Sequence, residues 1–188
     1  MKVLVIPEDP TRDQYILKPI VEALFADLGR KARVDVLKDP HLRGTSEALA
    51  QKMVGRIVAE NPMEDLFLLI VDRDGDRWNN THQAAAREAD HPNRVIACLA
   101  VEEVEVWMLA LHREELGVAW AEVREHTDPK EHYADPFLRQ KGWLMQVGSG
   151  RKRAMQGLGA QWKALLDFCP ELKELRDRLR AWLERTPV

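Results

Sequence analysis

Hydrophobic residues fall in short runs along the chain, and segments with helical spacing of apolar residues separate these runs. Four runs have the length and composition of strands, at residues 2–6, 32–37, 65–72 and 94–101. The intervening segments predict helices at residues 13–28, 45–60, 80–89 and 103–115, with glycine, proline or a capping residue at their ends. Strands that alternate with helices predict a parallel sheet with helices on both faces.

The composition of the strands predicts their places in that sheet. The second run alternates between apolar and polar residues, so we expect it near an edge, whereas the uniformly apolar third and fourth runs are predicted to be central. The predicted fold class is α/β, with an open, mainly parallel, doubly wound sheet of the Rossmann-like type. Beyond residue 117 the pattern changes to short helices and loops, followed by helices at 151–168 and 171–185. We therefore expect an α/β domain over residues 1–117 and a helical extension over residues 118–188 packed on it.

Composition and charge narrow the class of protein. The chain has 188 residues, of which 45% are hydrophobic and 31% are charged, as in a globular protein. Its start resembles neither a signal peptide nor a membrane span, so we expect a cytoplasmic location and no membrane partner. Cys98 and Cys169 match no zinc or redox spacing and are predicted to be buried, reduced thiols.

Charge is distributed unevenly along the chain. Residues 1–138 contain 26 acidic and 17 basic side chains, while residues 139–188 contain 5 acidic and 11 basic ones. An acidic part that holds cations beside a basic part that holds phosphates is typical of a protein acting on a polyanion. Solvated helix faces of different charge explain the same distribution equally well.

Acidic residues follow three of the four predicted strands, where the carboxyl ends of parallel strands form a binding crevice. Clustered carboxylates repel one another and raise one another's pKa unless a cation lies among them. Ligands that are all oxygen suit Mg²⁺ or Mn²⁺. The predicted metal ligands are Glu8, Asp72, Asp74, Asp76, Glu103 and Glu105.

Each acidic segment has a simpler explanation when it is taken alone. Glutamate in the first turn of a helix is explained by the helix dipole, and the segment from Asp72 to Asp76 could be an ordinary acidic turn. A calcium loop of the EF-hand type is excluded, because its sixth and twelfth positions here hold Arg77 and Gln83 instead of glycine and glutamate. The convergence of three acidic strand ends favours the metal site.

These acidic motifs resemble the signature of TOPRIM domains, the metal-binding module of topoisomerases, bacterial primases and OLD-family nucleases. The matching features are Glu8, the Asp72-x-Asp74 pair and the segment AVEEVEVWMLA at residues 100–110. The chain is most similar to small stand-alone TOPRIM-like proteins related to the OLD nuclease domain, with Glu103 and Glu105 at the two glutamate positions.

The chain also departs from that signature. Relatives commonly have a glycine directly after the first glutamate and an acidic residue four positions after it. Asp9 and Arg12 stand at those places, and Asp13 follows one position late. These departures imply a change in metal affinity or in the second metal site.

The resemblance implies divalent-metal-dependent cleavage of phosphodiester bonds in DNA or RNA. Glu8, Asp72, Asp74 and Glu103 would then be the catalytic residues, with Glu8 as the expected group for proton transfer. Basic side chains are also required to hold the phosphate backbone. The predicted contacts are Arg12, Lys130, Lys141, Arg151, Lys152 and Arg153.

Other functions stay open at this stage. The main alternative is a non-catalytic TOPRIM-like subunit that binds metal or nucleic acid and works with a separately encoded ATPase, and a homodimer is compatible with either function. A small-molecule phosphotransfer enzyme is a third hypothesis, but no glycine-rich phosphate loop follows the first strand. Trp78 is expected to pack in the interior, with stacking on a base as the alternative.

Overall fold

The four apolar runs form one parallel sheet with the strand order β2-β1-β3-β4. The computed structural model describes residues 1–73 and 77–186. The strands within these ranges are β1 (Lys2–Ile6), β2 (Arg33–Val36), β3 (Leu66–Asp72) and β4 (Val95–Ala100). The fold is α/β with an open sheet, as the sequence predicts, and β2 lies at an edge.

Helices cover both faces of this sheet. The α-helices of the described residues are α1 (Gln14–Asp27), α2 (Thr45–Ala48), α3 (Gln51–Glu60), α4 (Arg77–Asp90), α5 (Glu105–Ala110), α6 (Trp120–Glu125), α7 (Asp135–Gln140), α8 (Arg151–Ala154), α9 (Leu158–Phe168) and α10 (Pro170–Arg185). Alternate strand residues enter two separate hydrophobic clusters, as expected for an extended chain buried on both sides. Val3 and Val5 pack with α1, α5, α9 and α10, whereas Leu4 and Ile6 pack with α2, α3 and α4.

The prediction that β4 is central is wrong, because β4 is an edge strand and β1 and β3 lie in the middle. Its apolar composition reflects cover from two helices. At the outer edge, the Ala97 N–H donates to Glu88 Oε2 of α4 at 3.1 Å, and Arg178 Nη1 of α10 donates to the Ala97 carbonyl at 2.8 Å. Arg178 also pairs with Glu88. Side chains thus satisfy backbone groups that a further strand would otherwise bind.

The helices that follow residue 117 share a core with the sheet. Leu165, Leu179 and Trp182 belong to the same hydrophobic cluster as Val3 and Val5. The extension therefore packs directly on one face of the α/β layer, while a boundary at residue 117 stays a prediction from the sequence.

Two predicted helices are shorter in the structure. The segment predicted as one helix at 45–60 is divided between α2 and α3, because Ala50 has an extended backbone conformation. The helix predicted at residues 103–115 spans only Glu105–Ala110, and a short 3₁₀ helix follows it at Arg113–Glu115. Both changes lie beside the carboxyl ends of the strands.

The two cysteines and the lengths of the helices bear on two predictions from the sequence. Cys98 and Cys169 are free and buried, which confirms the prediction of buried thiols. Within residues 1–73 and 77–186, no helix is both long enough and apolar enough to cross a bilayer.

Candidate metal centre

Carboxylates that follow β1, β3 and β4, and one that directly precedes α1, lie near one another at the carboxyl ends of the strands. We call this group the acidic centre, and its members are Glu8, Asp13, Asp72, Glu103 and Glu105. Asp72 ends β3 and is buried, and its Oδ1 accepts a hydrogen bond from the Val104 N–H at 2.8 Å. This bond joins the end of β3 to the segment that follows β4.

Glu8 is oriented by two donors from different elements. Thr45 Oγ1 of α2 and the backbone N–H of Asp72 both donate to Glu8 Oε2, the second at 3.4 Å. The short helix α2 therefore places Thr45 where it fixes the side chain that follows β1.

Asp13 is a member of the acidic centre that the sequence analysis did not assign to the site. It directly precedes α1, is buried, and accepts a hydrogen bond from the Asp9 N–H at 3.1 Å. Burial raises its pKa to about 8, and the charges of Glu105 and Glu8 contribute to this increase. The sequence offered a signal for it, because Asp13 lies one position after the place where the TOPRIM signature has an acidic residue.

Glu103 and Lys130 connect the acidic centre to the segment after α6. The Lys130 N–H donates to Glu103 Oε2 at 2.6 Å. Burial nevertheless raises the pKa of Glu103 to about 7. Burial alone would lower the pKa of Lys130, but the charges of Glu105 and Glu103 raise it overall. Lys130 is thus a half-buried cation beside two carboxylates.

Glu105 forms a buried ion pair with Arg151. Arg151 Nε and Nη2 contact Glu105 Oε1 at 3.0 and 2.6 Å, and the arginine side chain has no exposed surface. A second carboxylate, Asp135 Oδ1, lies 3.5 Å from Arg151 Nη2. The position of Arg151 beside Lys152 and Arg153 in the sequence predicts a contact with phosphate. Its complete burial does not fit a role on the surface.

The backbone before Arg151 has an unusual conformation. Gly148, Ser149 and Gly150 all have positive φ angles, of 65°, 52° and 88°. A Cβ atom on Gly148 would lie 2.3 Å from the ring of Tyr15 in α1, so glycine is required both for conformation and for space. This turn directs Arg151 inward toward Glu105.

Two arginines, one on each side of residues 74–76, pair with the same buried glutamate. Arg73 and Arg77 both contact Glu102 Oε1, the latter at 3.0 Å. The Arg73 N–H also donates to the carbonyl oxygens of Ala100 and Glu102, each at 3.0 Å. Glu102 is buried and lies in the left-handed region with a φ of 64°, a strained conformation for a residue with a side chain.

The carboxylates of the acidic centre act on one another electrostatically. Burial, together with the charges of Glu8, Glu105 and Asp13, holds the pKa of Asp72 well above its usual range. Over residues 1–73 and 77–186, no three His, Cys, Asp or Glu side chains are arranged as a group that could hold a metal ion. The predicted ligands Asp74 and Asp76 lie outside the described residues. The donor set therefore suits a hard cation in its chemistry, although its described members do not form a preorganised ligand group.

The other predicted phosphate contacts are mostly on the surface. Arg12, Lys152 and Arg153 are exposed. Lys141 is exposed and pairs with Glu115. Trp78 is also exposed, with 78% of its surface accessible, so the expectation that it packs in the interior is wrong.

Comparisons with known proteins add no relative to this picture: no family model, no curated protein and no solved structure matches the chain.

We expect Arg151→Met to destabilise the protein by about 3–5 kcal/mol, because it leaves the Glu105 carboxylate buried without its partner. The exposed neighbour gives a matched control, and Lys152→Met should change the free energy of unfolding by about 0.5 kcal/mol or less. Urea denaturation at neutral pH measures both. The double variant Glu105→Gln/Arg151→Met should be more stable than Arg151→Met alone. Equal stability of Arg151→Met and Lys152→Met would contradict the buried ion pair.

Asp13 predicts a pH dependence of stability. Its pKa rises from 3.8 in the unfolded chain to about 8 in the fold, so the unfolded state loses this proton first as the pH increases. Stability should therefore fall between these two pH values in the presence of EDTA. Asp13→Asn should be more stable than the wild type at about pH 8 and show a flatter decline. Urea midpoints at several pH values test this, with the exposed Asp167→Asn as control, and parallel declines in both variants would refute it.

Proposed function

We propose that this protein cleaves phosphodiester bonds in nucleic acid with the help of Mg²⁺ or Mn²⁺ bound at the acidic centre. The observation that carries the proposal is the burial of Asp72 among Glu8, Asp13 and Glu105, which raises its pKa. Such a concentration of carboxylates is costly without a cation. The resemblance of the acidic motifs to TOPRIM domains is part of the same proposal.

The residues of the acidic centre divide between binding and proton transfer. Asp72, held by the Val104 N–H, and Glu103, held by the Lys130 N–H, would be the cation ligands. Asp74, Asp76 and Glu105 complete the proposed ligand set. A bound Mg²⁺ or Mn²⁺ would supply Lewis-acid stabilisation of the phosphate charge and a water of lowered pKa.

Glu8 is the proposed general base. The two hydrogen bonds to its Oε2 fix its orientation, and its carboxylate would accept a proton from the attacking water. Glu8 follows β1, which pairs directly with β3, and its Oε2 accepts a hydrogen bond from the Asp72 N–H at 3.4 Å. This position allows it to reach a group bound at Asp72.

Basic side chains would hold the substrate around this centre. Lys130 is a half-buried cation whose neighbours Glu103 and Glu105 keep it charged, so it is suited to stabilising the negative charge that develops on the phosphate. Arg12, Lys152, Arg153 and Lys141 are exposed and suited to backbone contacts. Arg151 instead orients Glu105.

A second candidate is a non-catalytic subunit that binds metal or nucleic acid and works with a separately encoded ATPase. Two observations favour it. The described residues contain no preformed group of three metal ligands, and the exposed Arg12 stands on the loop after β1 where an acidic residue was expected.

We expect the protein to bind Mn²⁺ through Asp72. Asp72→Asn should weaken binding by about tenfold or more, since even the residues that only support metal ligands contribute factors of this size. Asparagine retains an oxygen to accept the Val104 hydrogen bond, so the fold should be preserved. Asp65→Asn is the matched control, because Asp65 lies just before the opposite end of the same strand. Calorimetric titration decides the matter: absence of binding by the wild type, or equal binding by Asp72→Asn, would refute the site.

We expect Glu8→Gln to reduce cleavage by about two to four orders of magnitude while retaining most of the metal binding. Glutamine preserves the shape of the side chain and removes its basicity. Cleavage should be measured on single- and double-stranded DNA and RNA with Mg²⁺ and Mn²⁺, with Asp65→Asn as control.

The same assay separates the roles of Glu8. If Glu8 were chiefly a metal ligand, affinity would fall together with the rate, and excess Mn²⁺ would restore part of the activity. A wild-type protein that binds metal and cuts no nucleic acid, alone or with an ATPase, would contradict the nuclease proposal and support the binding subunit.

A further inference from the structure

Trp78 differs from every other tryptophan in the chain. Its side chain is 78% exposed, whereas Trp107, Trp162 and Trp182 are buried and the remaining two are half-buried. A tryptophan normally contributes a large apolar area to a core or an interface. An indole that is mostly exposed is therefore a candidate contact for a ligand.

The indole is supported on one side by a second ring. The rings of Trp78 and His82, one turn apart on α4, stack with centroids 5.6 Å apart and planes inclined by 25°. Packing by His82 restricts the indole, and the large exposed area leaves ring surface available to a ligand. A flat, supported aromatic surface is the form in which proteins present a stacking platform for a base.

Trp78 is linked to the segment that carries Glu103 through its neighbour Arg77. It is in the first turn of α4, next to Arg77, whose guanidinium contacts Glu102 at 3.0 Å. Glu102 directly precedes Glu103, a proposed cation ligand. A strand with its phosphate at the acidic centre would thus have a neighbouring nucleotide within reach of this helix.

The surroundings of Trp78 favour a base over a protein partner. The exposed residues around it on α4 are Arg77, Thr81 and His82, all of which are polar or cationic. The other large apolar side chains that the described residues expose lie on different segments: Met63 before β3, and Met145 and Val147 before α8. A protein interface needs a contiguous desolvated core around its aromatic anchor, whereas a single ring among cations and hydrogen-bonding groups suits a nucleotide.

We propose that Trp78 stacks on an unpaired base, so that the nucleic acid bound at the acidic centre is single-stranded at this position. In a duplex the faces of internal bases are covered by their neighbours, and only an unpaired base offers its face to the indole. This inference rests on the proposed function for its substrate and adds to it the strandedness of that substrate.

Fluorescence anisotropy with labelled oligonucleotides tests the platform separately from cleavage. Binding should be measured in EDTA and, in a parallel series, in Ca²⁺, using a single strand, an abasic strand of the same length and a duplex. The wild type should prefer the intact strand to both others. Trp78→Ala should weaken binding of the intact strand by about tenfold and leave binding of the abasic strand unchanged.

Three further variants test whether the preference for the intact strand depends on the stacked rings. Trp78→Phe should retain part of the preference, and His82→Ala should lose part of it, because the platform loses its support. Met63→Ala is the matched control, since Met63 is 72% exposed and lies at the amino end of the sheet. It should bind every oligonucleotide as the wild type does.

The outcomes separate this inference from the proposed function. Base-dependent binding through Trp78 without any cleavage would support the platform and contradict the nuclease. Cleavage with equal affinities of the wild type and Trp78→Ala would overturn the platform alone. The platform would also be overturned if the wild type bound the intact and the abasic strand equally in both series. The same conclusion would follow if Trp78→Ala weakened only association with a protein.

Discussion

The ion pair between Arg151 and Glu105 is the interaction on which the arrangement of the acidic centre depends. A guanidinium with no exposed surface is stable only where a carboxylate offsets its desolvation. The pair also joins distant parts of the chain, because Glu105 begins α5 beside the sheet and Arg151 begins α8. The positive φ angles from Gly148 to Gly150 and the close approach of Gly148 to Tyr15 all serve to bring Arg151 into this position.

Hydrogen-bond donors around this pair do not fully offset the cost of burying the carboxylates of the acidic centre. Several members of the centre have a specific donor: Thr45 Oγ1 for Glu8, the Val104 N–H for Asp72, the Lys130 N–H for Glu103 and Arg151 for Glu105. The pKa values of Asp13 and Asp72 are nevertheless raised, chiefly by burial. Hydrogen bonds thus orient the carboxylates without removing their electrostatic cost. Perturbed pKa values of this kind cluster at functional sites.

The sequence predicts the parts of this structure that depend on local pattern. Strand positions, the parallel sheet and the acidic strand ends follow from apolar runs and from the rule that parallel strands end at one edge. The place of β4 did not follow, because a strand covered by Glu88 and Arg178 is as apolar as a central one. Arg151 could not be distinguished from the exposed Lys152 and Arg153, since its direction depends on a turn that hydrophobic periodicity does not report.

The uneven charge of the chain has a partly internal explanation. Three arginines from the basic C-terminal part pair with acidic residues of the first part: Arg151 with Glu105, Arg176 with Asp27 and Arg178 with Glu88. These pairs neutralise charge between the helices and the sheet layer. They also tie the C-terminal helices to the layer whose core they share. The basic side chains available to a polyanion are therefore fewer than the composition suggests. Lys130, which lies beside Glu103 and Glu105, and the exposed Arg12, Lys152 and Arg153 are outside these three pairs.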